Sequence, residues 1–171
     1  MPPRPLLLTR ETVMLNRLLP RPADNTYRGH KLALVLFVLL LVMKGAISLG
    51  SIFNGRTASS SADGIPIDSY TPAGARAVVS LFGVLGLSNL MIVLVGLVVL
   101  LRYRSLVPFM FALFVLQDVS KRLILQVMPI ARTGTPPGST ITLVILGVMV
   151  VGLALSLWTR HHPDSVHAPS G

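Results

Sequence analysis

The chain has 171 residues, of which 52% are hydrophobic and only 12% charged, about half the charged share of a soluble domain. With a mean hydropathy of +0.73, a water-soluble fold would aggregate, so lipid is the expected solvent. The net charge of +9 suggests nucleic acid at first sight, but the bases gather on no single basic face, and no nucleic-acid partner is expected.

Residues 1–31 are polar and basic, with Arg4, Arg10, Arg17, Arg21, Arg28 and Lys31. Leu7, Leu8, Met14, Leu15, Leu18 and Leu19 fall on one side of a helix and Arg10 and Arg17 on another. This pattern predicts a short interfacial helix, stopped by Pro20 and Pro22; a disordered lead-in is the plainer alternative. The apolar run that follows is too late and too long for a secretory signal, so the segment reads as cytoplasmic. Met14 offers a second candidate start for translation.

Four apolar runs follow: Leu32–Phe53, Ala77–Leu101, Ser105–Met128 and Thr140–Trp158. Each is near the roughly 20 residues that cross a bilayer as a helix. Residues 54–76 form a Ser-, Gly- and Pro-rich loop expected to face outward and to be available for contact. The second connection is very short and the third covers residues 129–139, so neighbouring spans should be antiparallel. The N-terminal segment, second loop and Arg160 tail hold nine bases and the other two loops three, which predicts both termini cytoplasmic. Tyr27, Tyr70, Tyr103 and Trp158 stand where interfacial rings are favoured. The predicted fold is therefore all-α: a polytopic membrane protein with four transmembrane helices in an up-down-up-down bundle over residues 32–159, and a flexible cytoplasmic tail, 160–171.

Thr71-Pro72 before the second span and Thr135-Pro136 before the fourth suit helix starts, since Thr caps and Pro needs no N–H there. Small residues mark candidate helix contacts: Ala46 and Gly50, then Gly83, Gly86 and Gly96, then Gly152 and Ser156.

Polar residues inside the spans are few and share a level. At about 1.5 Å per residue, Lys44, Asn89 and Asp118 each lie roughly 20 Å from the inner surface, with Gln117 and Ser88 beside them. A charge at that depth costs a few kcal/mol, and Lys44 is about 13 Å below the outer end of its span. Asp118 is the only acid in any span, which predicts a Lys44–Asp118 contact. The stretch "QDVSKR", 117–122, permits a local alternative, with Asp118 neutralised by Lys121 or Arg122 three or four residues on. Lys44 would then turn to Asn89, Gln117 or water. Lys44, Asn89, Gln117, Asp118, Lys121 and Arg122 thus form the candidate intramembrane layer, either as glue between helices or as a ligand, proton or ion site.

Other chemistry is scarce. The absence of cysteine excludes disulfides and thiolate sites. His30, His161, His162 and His167 all lie outside the spans, against haem ligation. One intramembrane acid cannot make a paired-carboxylate protease, and a serine–histidine protease lacks its buried histidine. No phosphate-binding glycine motif appears. Small multidrug exporters depend on an acid in the first span, where this chain has Lys44. Asp63 and Asp68 in the first loop read as solvated acids, with cation binding as the alternative. No catalytic, metal or cofactor site is expected.

The stretches "NTYRGHKLAL", "SIFNGRTASSSADGIPID", "LRYRSLVPFMFALFVLQ" and "RTGTPPGS" resemble those of small bacterial four-span inner-membrane proteins that carry no named activity. The resemblance implies a bacterial inner membrane and assigns no site. The expected partners are the bilayer and, by self-assembly or otherwise, a membrane protein. The expected role is a non-enzymatic structural or assembly subunit, with a small transporter or channel subunit as the alternative.

Overall fold

The computed structural model describes residues 29–134 and 136–158, together with Asn25 and Tyr27. The expected interfacial helix, Thr135, Arg160 and the three tail histidines lie outside the described residues. Within them the chain is all-helical, and the order of elements contains no strand.

Four long helices carry the fold: α1 (Lys31–Phe53), α2 (Pro72–Arg102), α3 (Val107–Val127) and α4 (Pro137–Leu157). Their starts follow from local chemistry. The His30 ring nitrogen accepts the Leu32 N–H at 3.1 Å and caps α1. Thr71 Oγ1 accepts the Gly74 N–H at 3.2 Å and Pro72 takes the first position of α2. This cap starts α2 five residues before the apolar run begins, so the helix is 31 residues, or about 46 Å. Proline also opens α4.

α1 packs most extensively on α2, and also on α4, while α3 packs on α4. α2 and α3 are sequence neighbours joined through the short turn Arg104–Leu106, yet they touch much less, and α1 and α3 meet only across the diagonal. The core is supplied by Phe37, Leu40 and Leu41 of α1, Val93 and Val99 of α2, Met110, Phe111 and Phe114 of α3, and Ile145 and Met149 of α4. Phe37 and Phe111 meet edge-to-face with centroids 5.2 Å apart, the favoured aromatic geometry.

Large apolar side chains also cover the outside. Val35, Val42, Leu81 and Val84 are each at least 60% exposed, which a lipid solvent permits and water does not. Three helices, α1, α2 and α4, are long and apolar enough to cross a membrane. α3, with 21 residues, differs because Asp118, Lys121 and Arg122 fall in its second half.

The connection between α1 and α2 is folded. Gly55–Thr57 makes a helical turn, Ala58–Ala62 a π-helical turn and Ile67–Ser69 a 3-10 turn. Ser59 is fully buried and donates to the carbonyls of Gly55 and Arg56; Ile65 and Ile67 are also buried. Gly64 takes the left-handed conformation, φ +71°, which glycine adopts without steric cost. Its carbonyl accepts the Thr133 N–H at 2.8 Å and the Thr133 hydroxyl at 3.1 Å. This clamp joins the first and third connections into one cap at what is here termed the loop end of the bundle. At the opposite, terminal end the His30 N–H donates to the Leu155 carbonyl at 3.3 Å, tying the start of α1 to the last turn of α4.

Candidate functional site: a polar cluster between three helices

Two helical stripes lead to the cluster. On α1 the buried series Ala33, Phe37, Leu40–Leu41 and Ser48 passes through Lys44. On α3 the buried series Val107, Phe111, Phe114 and Asp118 has the three- and four-residue steps of one helix face. Each charge therefore sits on the core stripe of its helix and is aimed inward by its spacing.

Lys44 Nζ donates to Asp118 Oδ1 at 3.1 Å, and the two side chains are only 11% and 10% exposed. The Lys44 ammonium lies 5.2 Å from the centroid of the Phe114 ring, within cation–π range. One turn along, Ser48 donates to the Lys44 backbone carbonyl at 2.7 Å. The contact expected from depth is thus formed. The local alternative is not: among the described residues the ion pairs are Lys44–Asp118 and Arg56–Asp68.

Lys121 and Gln117 use a different face of α3, four residues apart, turned towards α2. Asn89 Oδ1 accepts from Gln117 Nε2 at 2.8 Å and from Lys121 Nζ at 2.9 Å. Gln117 Oε1 is buried without a hydrogen-bond partner among the described residues. Arg122 is half-buried and makes no ion pair among the described residues. Five of the six layer residues are thus joined in two bonded groups, Lys44–Asp118 and Asn89–Gln117–Lys121. Ser88, expected alongside, is exposed and bonds back to the Val84 carbonyl at 3.0 Å. The layer holds three bases, Lys44, Lys121 and Arg122, and one acid, Asp118, so its formal charge is positive.

Close helix approach surrounds this layer, though not at every position read for it. A methyl group on Gly86 would lie 2.8 Å from the Ser48 carbonyl oxygen, and one on Gly96 2.6 Å from Leu41. Gly152 and Ser156 are buried. Gly50 and Gly83 face open space, and Ala46 is exposed, so those small residues mark no helix contact among the described residues.

Two residues have surroundings that their sequence readings, a solvated acid for Asp63 and an interfacial ring for Tyr27, did not include. Asp63 sits against the start of α4, its carboxylate 3.0 Å from where a Gly138 methyl would be. Burial pushes its pKa up, with Arg132 pulling the other way. The Asp63-Gly64 pair is a turn signal that pointed to this fold-back. Asp68 is exposed and paired with Arg56 at 2.7 Å. At the terminal end Tyr27 packs against the core. Its hydroxyl is buried without a hydrogen-bond partner among the described residues, and burial pushes its pKa up to about 12.

Among the described residues no group of histidines and acids could hold a metal ion. Compared with protein-family profiles, curated proteins and solved structures, the chain matches none.

Proposed function

We propose that this is a four-span protein of a bacterial inner membrane, with both termini cytoplasmic, that acts without catalysis as a structural or assembly subunit. The single observation that carries this reading is the enclosure of the Lys44–Asp118 pair. It is almost entirely buried and lies beside Phe114. A pair so placed, beside the Phe37 contacts with Phe111 and Phe114, fixes the register of α1 against α3 and offers water no ready approach. Breaking such a pair is costly in a low dielectric, which suits a permanent fastening better than a step in transport. α3 completes the fourth span because two of its three charges are partnered within the bundle: Asp118 by Lys44, and Lys121 by Asn89. The distribution of bases supports the orientation. The apolar exterior of α1, α2 and α4 leaves wide faces for lipid or a neighbouring membrane protein.

A second reading, a small transporter or channel subunit, draws on one observation. Gln117 Oε1 is a buried acceptor without a donor among the described residues, beside a net positive layer where α2 and α3 pack loosely. The absence of native cysteine makes the dividing experiment simple. Asn89→Cys in membrane vesicles is treated with a small water-soluble thiol reagent. The assembly reading expects no labelling until the protein is denatured, and photocrosslinking from Val42 to yield discrete adducts. Labelling of folded protein from the aqueous phase would replace it with the transport reading.

A further inference from the structure

At the loop end, the 3-10 turn Ile67–Ser69 and the helical turn Gly55–Thr57 stand away from the first turns of α2 and leave a cleft of about 600 Å³. Its floor is apolar, from Ile67, Ala75 and Val79, and its polar groups are Arg56, Arg76 and Ser80. Arg56 Nη2 donates to Asp68 Oδ1 at 2.7 Å, but the two side chains are 70% and 88% exposed. Such a pair is weak, and a guanidinium has five N–H donors, so Arg56 keeps donors for another anion. Two guanidiniums and one carboxylate leave a single positive charge, which matches a monoanion.

The cleft does not end at its polar rim. The α2 face that carries Arg76 and Ser80 continues by three- and four-residue steps through Gly83, Val84, Leu87 and Met91. A methyl on Gly83 would have nothing within 4 Å, and Val84, Leu87 and Met91 are 60%, 49% and 50% exposed. A pocket with net charge +1 at a helix end thus opens onto an apolar track running down the same helix.

We propose that the cleft binds the phosphodiester of an anionic glycerophospholipid from the leaflet at the loop end, with acyl chains along Val84, Leu87 and Met91. Arg56 and Arg76 donate to the phosphate oxygens, Ser80 supplies a hydroxyl below them, and the start of α2 favours the negative charge. The inference rests on the membrane reading above, which a separate readout checks.

The test is native mass spectrometry of the full chain released from an uncharged detergent, titrated with phosphatidylglycerol or with phosphatidylcholine of the same chains. The wild type should prefer phosphatidylglycerol. Arg56→Gln/Arg76→Gln should weaken that binding of the order of thirtyfold, at about fivefold per interfacial guanidinium. Asp68→Asn should tighten it, because the pocket charge rises. All the side chains concerned are surface groups, and circular dichroism checks that each variant stays helical. Equal binding by the double variant, or weaker binding by Asp68→Asn, would overturn the site. Displacement of the lipid by millimolar inorganic phosphate would reassign it to a free anion. Extraction of the chain from membranes by alkaline carbonate would instead overturn the membrane reading.

Discussion

Gly83 and Gly86 lie on the same helix three residues apart and differ in what surrounds them. A methyl on Gly86 meets the Ser48 carbonyl oxygen and Ser51 Cβ at 2.8 Å, whereas one on Gly83 meets nothing within 4 Å. Gly86→Ala should therefore lower stability by about 1–3 kcal/mol, the usual cost of overpacking. Gly83→Ala should raise it by up to about 1 kcal/mol through helix propensity; thermal unfolding in detergent reads both, and equal effects would contradict the packing of α1 on α2. Tyr27→Phe removes a buried hydroxyl that has no partner among the described residues, so the melting temperature should hold or rise. A clear fall would show that the hydroxyl is bonded. Small-residue spacing was only half legible: Gly152 and Ser156 are buried while Ala46 and Gly50 are not, because a four-residue step recurs on every face of a helix. Lys44 and Asp118 were legible because a charge at that depth needs a partner and the spans hold one acid. The Phe114 ring beside them was not, since aromatic contacts depend on the mutual rotation of helices.

The connection between α1 and α2 shows how an element can hide in polar composition. Its Ser, Gly and Pro content reads as an open loop, yet Ser59, Ile65 and Ile67 are buried and Gly64 holds Thr133. Forcing Gly64→Ala into the left-handed region costs roughly 1–2 kcal/mol, and the new methyl would lie 3.1 Å from the Thr133 carbonyl oxygen. Faster amide exchange should follow at residues 58–67 and near Thr133, with α1 to α4 unchanged; uniform exchange throughout would argue against a separate cap. The pH dependence follows from Asp63, whose pKa is raised from 3.8 chiefly by burial. The unfolded chain then loses this proton first as pH rises. The folded state is favoured while the acid is protonated, and that advantage is lost as pH climbs upward from about 3.8. Asp63→Asn should flatten unfolding profiles across this window and raise stability at neutral pH. An unchanged profile would place the carboxylate in water. The early start of α2 was readable from Thr71-Pro72, whereas an apolar window, which weighs hydropathy and not capping, begins at Ala77.

For the whole molecule, the sequence made the class legible through length, hydropathy and charge, and three of the four helices satisfy the requirements of a membrane span. α3 is the element on which topology turns. If it crosses, cysteines placed at Ser60 and Thr133 share one aqueous side, and one at Ser105 lies on the other. An impermeant maleimide applied to intact and opened cells reads this pattern, and Thr133 labelling together with Ser105 would leave α3 outside the bilayer core. What composition could not show is that α2 and α3 touch little beyond the Asn89 hydrogen bonds, while α1 and α3 meet across the diagonal through the Phe37 ring contacts and the Lys44–Asp118 pair. That pair is the one salt bridge between the long helices among the described residues. Its most direct test is a double-mutant cycle with Lys44→Met, Asp118→Asn and the two combined, followed by reversible unfolding in detergent. The expected result is a loss of about 1–3 kcal/mol for each single change and recovery of most of it in the double, a coupling of at least about 1 kcal/mol. Additive losses with no coupling would contradict a structural pair and leave the polar layer without its fastening role.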